Sequence, residues 1–481
     1  MVNSIEYNNL TFNIIEKKIS DFLYEIGSDV LRNAFETIDD DLFNNRDKAI
    51  YRYKEKRERT INTCFGSVSY NRRYYIEKIS RDESKATFLL DEVLDIDLLG
   101  KSTLKQAVNL VNEAAAESFR NVSKQNDSSA FCNPSHQTIK NRVADIGELL
   151  KSSEMERIQK YFNNELEGKK QVEILFEEKD GLFLSIQGEK NKKEIKLAKV
   201  YEGWQPESVE SKRYKTINTL YFAGYDKSEQ FDAVVNSGIA QVYNMEYLKT
   251  RILNGDGATW ISKEIDIDSS IQYQLDLFHI YQKATRKISN LDNRKKIKKL
   301  IRDKKFDQLI DECKRFYEAE SDEKEKEKLR EVYSYYENNK DFLVRYIDRE
   351  NFNIDTEQEL RNLGTMESSV HNVLATRLKG HGLSWSIIGA EAMAKLLCLQ
   401  HSNYDLLQEV EETLKTIINK NFKFDVKYEL DGELKKAKKD INDAIRAILY
   451  EKSSKFSNRE SHIKVFDNKL TQLFRALRGL L

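Results

Sequence analysis

Proline is nearly absent, with 2 in 481 residues. Long uninterrupted helices are therefore permitted, because proline is the residue that breaks a helix interior. The four cysteines, at 64, 132, 313 and 398, lie far apart with no C-x-x-C pair. That spacing argues against a disulfide scaffold or a zinc knuckle and fits a reducing compartment. Neither sign of charge is in excess, since 79 Lys and Arg face 80 Asp and Glu for a net charge of -1. A uniformly basic nucleic-acid coat is excluded, so any polyanion site must be local. No run reaches the ~18 apolar residues of a membrane span. The opening MVNSIEYNNLTFNIIEKK lacks a basic start followed by an apolar core, so the expectation is a cytoplasmic, nucleoid-associated protein with no membrane partner.

Charge and aromatic mass are what the chain does have. Charged residues at 33%, hydrophobic ones at 40%, 24 Tyr and 23 Phe describe a globular chain able to build several cores, not a disordered one. At about 150 residues per domain the length predicts roughly three domains. Ile14, Ile15, Ile19, Phe22, Leu23, Ile26, Val30, Leu31, Phe35 and Ile38 recur at steps of three and four, the period of an amphipathic helix over residues 10–44. Residues 60–78 turn β-branched and aromatic around Gly66, which predicts a hairpin. There Arg72 and Arg73, beside Tyr74 and Tyr75, face a phosphate backbone or form a solvated strand edge.

Leu104, Ala107, Val108, Val111, Ala114, Ala115 and Phe119 mark a second helical stripe, followed by the polar break SKQNDSSAFCN. Pro134-Ser135 then opens SHQTIKNRV, with Ser135 as N-cap and Ile139 and Val143 on the buried face. This pattern fits a helix-turn-helix whose His136, Gln137, Lys140, Asn141 and Arg142 point outward to DNA grooves and phosphates. A small helical bundle produces the same pattern.

From residue 171 the texture becomes short and alternating. QVEILFEEKD, GLFLSIQG and EIKLAKVYEGW predict a three-strand meander with a turn at Asp180-Gly181. An apolar run at 217–222, a helix over about 228–247, the strand before Asn254-Gly255-Asp256-Gly257 and the strand YQLDLFHI follow. The order β-β-β-α-β-α-β is that of ribonuclease-H-like domains. Residues 280–350 are helical, and between 283 and 305 lie eleven Lys and Arg against Asp292 and Asp303. Arg294, Lys295, Lys296, Lys298 and Lys299 belong to this patch, which either grips DNA phosphates or forms solvated helix faces. Residues 363–400 return to helix, with Thr365 at the N-cap and Glu367 in the first turn. The remainder is read as helices with a strand-like run FKFDVKYEL and a basic cluster at Lys435, Lys436, Lys438 and Lys439.

Three carboxylates are placed for chemistry. Asp180 and Asp256 each end a strand-like run before glycine, and Glu367 opens a later helix. Asp-Gly alone is a turn signal with a backbone cause, and the chain has another at Asp431-Gly432. Position gives these residues their interest. Two-metal phosphoryl transfer needs carboxylates converging from elements remote in sequence to hold two Mg²⁺ ions, or Mn²⁺, roughly 3.5 to 4 Å apart. In a ribonuclease-H-like sheet the first strand, the fourth strand and a later helix supply them.

LFEEKDGLFLSIQG, RILNGDGATWI, LDLFH and LGTMESSVHNVLATRLKGHGLSWSIIGA resemble the ISLre-two family of bacterial insertion-sequence transposases, relatives of the Mutator-like DDE recombinases. TCFGSVSYNRRYY and SHQTIKNRV look like that family's N-terminal region, so the likeness spans most of the chain. The resemblance implies that Asp180, Asp256 and Glu367 are the DDE triad and metal ligands, with a helical insertion between the second Asp and the Glu. It also implies double-stranded DNA partners, terminal inverted repeats and target, and Mg-dependent cleavage and strand transfer. Two ends must be held together, so a homodimer or larger synaptic oligomer is expected. A ribonuclease-H-like nuclease without strand transfer and a catalytically silent DNA-binding derivative are the other readings.

Supporting residues carry paired readings. Asp276 and His279 are similar to the family's Asp-x-x-His motif, supporting the active site or DNA, or else form a structural hydrogen bond. His371, four residues after Glu367, touches the scissile phosphate, orients Glu367, or is structural. Arg377 and Lys379 neutralise phosphate or are solvated. Trp260 and Trp385 stack on a base or pack in the core. Glu178 shares the strand face of Asp180 and sits behind it. The expected organisation is an N-terminal helix and hairpin region (1–100), a helix-turn-helix-like DNA-binding region (101–168), and an α/β ribonuclease-H-like catalytic domain (169–280 with 351–400). A basic helical insertion (281–350) interrupts that domain, and a helical C-terminal region (401–481) follows it.

Overall fold

A computed structural model describes residues 12–80, 83–94, 99–127, 134–262, 270–350, 352, 354, 356–379 and 383–418. The strand-like run at 422–430 and the lysines at 435–439 lie outside the described residues. The described residues fall into two compact units that divide at residues 103 and 104.

The first unit holds α1 (Phe12–Asn45), β1 (Tyr51–Thr63), β2 (Gly66–Lys78), β3 (Ser84–Thr87) and α2 (Leu89–Val93). The predicted hairpin is longer than its apolar signature, because β1 begins in the charged run YRYKEKRE, whose side chains are largely exposed. Ile38 and Leu42 of α1 pack with Ile61, Val68, Tyr70 and Tyr75 of the antiparallel ribbon. Arg72 and Arg73 neither face outward to phosphate nor line a solvated edge. Arg72 pairs with Asp91 and lies over the Phe88 ring, and Arg73 pairs with Asp39 and Asp40. Acidic partners from α1 and α2, remote in sequence, pair with both guanidinium groups inside the unit.

The second unit begins with α3 (Leu104–Ala116), α4 (Phe119–Asp127) and α5 (His136–Phe162). Ser135 caps α5 as expected, accepting from the Thr138 N–H at 3.1 Å. The helix then runs for 27 residues, far beyond SHQTIKNRV. Its buried stripe is Ile139, Arg142, Val143, Ile146, Gly147 and Leu150. These helices share one compact unit with the sheet that follows, so no domain boundary separates residues 104–168 from it.

The sheet is built from β4 (Ile174–Leu184), β5 (Lys193–Tyr201), β8 (Leu220–Gly224), β9 (Thr250–Gly255) and β10 (Ile271–Leu275). Between β5 and β8 a small separate hairpin is formed by β6 (Gly203–Pro206) and β7 (Tyr214–Ile217). The strand order is β10-β9-β4-β5-β8. β4, β9 and β10 are parallel, while β5 runs antiparallel to both β4 and β8. α6 (Ser228–Val242) covers one face, where Phe231, Val235 and Ile239 meet Leu175, Ala198 and Val200. On the other face Ile174, Phe176, Tyr201 and Ile252 meet Tyr346 and Leu363. Alternation along β4 thus sends odd-numbered side chains to α6 and even-numbered ones to the segment before Glu367.

One expectation fails here. Asp180-Gly181 is not a turn but the middle of β4, paired with Leu197 and Lys196 of β5. Gly181 serves close approach, because a Cβ at that position would lie 2.1 Å from Glu194 Oε1.

After α7 (Thr259–Ser262) and β10 comes the insertion: α8 (Leu277–Lys287), α9 (Leu291–Arg302), α10 (Phe306–Ala319) and α11 (Glu323–Asn338). Its core is continuous with the sheet, since Ile280, Ile297, Ile301, Leu309 and Val332 cluster with Leu253, Ile271 and Tyr273. The chain continues as α12 (Met366–Ser369), a π-helical stretch Val370–Ala375, and α13 (Thr376–Leu378). α14 (Ile387–His401) and α15 (Leu406–Ile418) complete the described chain. No helix among the described residues is long and apolar enough to cross a membrane.

Candidate active site

β4 positions the first acid and, two residues earlier, the group that anchors the last one. Glu178 is fully buried. Its Oε2 accepts from the backbone N–H groups of Gly364 (3.0 Å) and Thr365 (2.9 Å), and its Oε1 accepts from the Thr365 hydroxyl and from Tyr201 OH. Lys199 donates to the Thr365 hydroxyl oxygen at 2.7 Å. Thr365 stands at the N-terminus of α12 as expected, but its side chain serves Glu178 instead of capping the helix. Its carbonyl receives the Ser369 N–H and the hydroxyls of Ser368 and Ser369.

A buried polar ladder ties the parallel strands together in the same layer. Asn254 on β9 donates to Glu178 and to Asp276 (3.0 Å), and accepts from Gln274 of β10 (3.0 Å). Gln274 in turn accepts from the Tyr346 N–H. Each amide in this chain uses its donor and its acceptor, the condition under which a buried polar network rigidifies a fold.

The acids stand just beyond the ladder. Asp180, Glu367 and His279 each offer a ligand atom, and the three atoms all lie within 4.8 Å of one another. Asp180 and His279 are half-buried and Glu367 is exposed, so the group opens to solvent. Asp256 follows the end of β9. The pairing of Glu178 with Asn254 sets it beside Asp180 on the neighbouring parallel strand. Its Oδ1 accepts from the Ala258 N–H at 2.8 Å, and its carbonyl accepts from Tyr335 OH. Gly257 has φ +91°, a conformation that glycine alone adopts cheaply, so this Asp-Gly is a true turn. Asp256 is not among the three groups within 4.8 Å. Burial raises its pKa, and the charge of Asp180 raises it further.

Asp276 does not bond His279. It caps α8, accepting from the Phe278 N–H at 2.7 Å, so that LDLFH is a strand end and a helix start. His279 thereby sits in the first turn, with Nε2 3.8 Å from Asp180 Oδ2. Burial lowers its pKa, but the carboxylates of Asp180, Asp276 and Asp256 outweigh burial and leave it raised.

The alternation of β4 settles the neighbouring acids. Glu177 faces α6 and pairs with Arg251 and with Lys179, whose Nζ also meets Asp232 at 2.9 Å. One carboxylate went unnoticed in the sequence. Glu194 of β5 lies over Gly181, and burial followed by the charge of Asp256 raises its pKa. Only the absent Cβ at position 181 hinted at it.

Other expected site residues are placed differently. Arg377 is buried, neither solvated nor open to phosphate: its Nε donates to the Ala114 carbonyl at 2.7 Å, and its guanidinium lies 4.9 Å from the Trp385 ring. Desolvation lowers its pKa to about 10. Trp385 donates to the Leu378 carbonyl and Trp260 packs edge-on against Phe231, both as core residues. His371 is exposed, and its ring nitrogen lies 3.3 Å from Asn372 Oδ1.

Of the groups expected to contact DNA, Gln137, Lys140 and Asn141 are exposed, with Gln137 donating to Asn141. Arg142 is buried, because it falls on the three-and-four stripe between Ile139 and Ile146. Arg294 is committed to the Ile288 carbonyl at the end of α8 through two bonds. Lys295 lies near Asp292, and Lys296 pairs with Glu312 at 2.7 Å. Lys299 is exposed and Lys298 half-buried.

Two carboxylates and an imidazole so close together form a donor set suited to a divalent cation. The Lys199 ammonium is engaged with the Thr365 hydroxyl, and the Gly181 N–H donates to Asp180 Oδ1 at 2.7 Å.

Comparison with known proteins places the chain. The model of a family described as UPF0236, an uncharacterised protein family, matches residues 5–416. A UPF0236 protein of Caldanaerobacter subterraneus subsp. tengcongensis is 27% identical over 471 residues, 93% of this chain and 88% of its own length. Another from that organism, whose name joins eleven locus designations, is 26% identical over 488 residues, 98% and 92% of the two lengths. A UPF0236 protein of Streptococcus gallolyticus, named for the vanSb 3' region, is 23% identical over 405 residues, 81% and 82%. With its family match extending over most of its length, the chain belongs to UPF0236.

Proposed function

We propose that this protein is a DDE transposase of the ISLre-two type, which binds the terminal inverted repeats of an insertion sequence, cleaves DNA and joins the freed end to target DNA. The observation that carries the reading is the approach of Asp180 and Glu367, far apart in sequence, to within 4.8 Å on a strand whose parallel neighbour β9 ends just before Asp256. The strand order, with β4, β5 and β8 antiparallel in turn and β9 and β10 parallel to β4, supports a ribonuclease-H-like catalytic domain. Eleven locus designations on one relative fit a gene that multiplies within a genome.

Bound Mg²⁺ or Mn²⁺ would supply charge stabilisation at the phosphoryl oxygens and favour ionisation of the attacking hydroxyl. Asp180, Asp256 and Glu367 would hold the cations and would form no covalent bond to DNA. In cleavage, water oxygen attacks phosphorus and the bond to the 3' oxygen breaks, which leaves a 3' hydroxyl. In joining, that hydroxyl attacks a target phosphate and displaces another 3' oxygen, so the number of phosphodiesters is unchanged. Glu178 fixes the backbone from which Glu367 projects, and Asp276 fixes the helix that presents His279. Among the described residues expected to contact DNA, Gln137, Lys140, Asn141, Lys295 and Lys299 are exposed and Lys298 is half-buried, and a dimer or larger assembly would hold two ends.

The test is incubation of purified protein and Mg²⁺ or Mn²⁺ with a labelled repeat end and a supercoiled target. Joined product is expected. Asp180→Asn and Asp256→Asn should each abolish joining while leaving repeat binding intact, and retained joining in either variant rejects the assignment. Nicked product without joining would indicate a nuclease, and a gel shift alone a silent DNA-binding derivative.

A further inference from the structure

We infer that His279 ligates, through Nε2, the divalent cation held by Asp180 and Glu367, and that this position selects a first-row transition ion over Mg²⁺. The inference rests on the metal-dependent reading above and adds a nitrogen to an otherwise all-carboxylate site.

Distance is the first argument. His279 Nε2 lies 3.8 Å from Asp180 Oδ2, beyond the roughly 2.7–3.2 Å of an N–H···O bond. Two donors each about 2.1 Å from one cation stand roughly 3.0 Å apart at right angles and about 4.2 Å apart when opposed. The observed spacing falls between these limits. An oxygen of Glu367 completes a group whose atoms all lie within 4.8 Å, so a small rotation of the exposed Glu367 side chain closes the set.

Rigidity is the second. The backbone carrying His279 is held by the Asp276 cap on α8, and Asp276 is itself anchored by Asn254 and by its own N–H to the Gly255 carbonyl. The Phe278 ring stands edge-on to the imidazole at 5.3 Å. A ring held in this way is presented to an incoming ion at little entropic cost.

Donor chemistry is the third. Mg²⁺ keeps oxygen ligands and water, whereas an imidazole nitrogen strengthens binding of first-row transition ions. Selection therefore follows from the ring and not from the carboxylates.

The experiment uses the full chain and Mn²⁺ alone as the probe, read by pulsed electron paramagnetic resonance. Coupling to a single ¹⁴N is expected in the wild-type protein and should vanish in His279→Gln. That variant should still bind Mn²⁺ through its carboxylates, about ten-fold more weakly or worse, and should lose Mn²⁺ to Mg²⁺ competition more readily. His279→Asn, checked for native circular dichroism, guards against a folding defect in a single variant. Failure of the wild type to bind Mn²⁺, binding without nitrogen coupling, coupling that survives both substitutions, or unchanged Mg²⁺ competition would each overturn the inference. Strand transfer is scored separately. Joining without nitrogen coupling removes only the ligand assignment, whereas coupling without joining removes the transposase reading and leaves the ligand in place.

Discussion

Glu178 and Thr365 lie 187 positions apart and share two direct bonds, backbone N–H to Oε2 at 2.9 Å and hydroxyl to Oε1 at 2.5 Å. Through them, the strand that carries Asp180 also grips the first residue of the turn that carries Glu367. The two acids meet because a third, which is not one of them, holds their backbones together.

Glu178→Ala should therefore damage both stability and site assembly. It strands the donors of Asn254, Tyr201 and Thr365, at a cost of roughly 3 kcal/mol. The expected result is a lower urea midpoint with an unchanged slope, together with weaker Mn²⁺ binding. Glu178→Gln should lie between alanine and wild type, because the amide keeps one acceptor but turns a donor toward other donors.

The two glycines after Asp180 and Asp256 should respond differently to alanine. Gly257→Ala meets a positive φ of +91° with Leu275 and Tyr335 side-chain atoms 3.2 Å from the new Cβ, a strain of about 1–3 kcal/mol. Gly181→Ala brings its Cβ against Glu194 Oε1, Cδ and Cγ at 2.1, 2.6 and 2.7 Å but on extended backbone, so the Glu194 side chain must shift without backbone strain and the cost should be the smaller of the two. Thermal melts of the pair compare them directly, and equal losses would contradict the distinction.

Lys179 is fully buried between Glu177 and Asp232. Lys179→Met removes the cation and leaves Asp232 short of a partner, a loss of about 3–5 kcal/mol. Adding Asp232→Leu should recover part of that loss, since the pair goes together. Chemical denaturation of the single and double variants measures the coupling.

Basic residues of the insertion should separate into two kinds. Lys298→Ala and Lys299→Ala should each reduce the salt dependence of DNA binding by about one counterion. Arg294→Ala removes the cap on α8 and should lower stability by roughly 1–2 kcal/mol while leaving the salt slope unchanged. Filter binding across a salt series, paired with melting curves, distinguishes them.

Local elements were legible because their causes are local. The three-and-four stripe over residues 10–44 corresponds to the helix Phe12–Asn45, and Ser135 caps the helix that it precedes. Misreadings arose where one residue type has two uses. Asp-Gly marks a turn at 256 but an uninterrupted strand at 180, since glycine answers both positive φ and close packing. Arg142 and Arg377 looked solvent-facing by charge alone. A guanidinium can nonetheless be buried beside a carbonyl and aromatic rings, as Arg377 is.

Periodicity fixed which side chains share a face, and so placed Glu178 with Asp180 and apart from Glu177. It could not say what stands opposite that face. The tertiary structure decided that Glu177 would meet Arg251, that Glu178 would meet Thr365, and that Asp180 would meet Glu367 and His279. The reason is physical: an acid's role depends on the donors that surround it, and here those donors come from segments that only chain folding brings together.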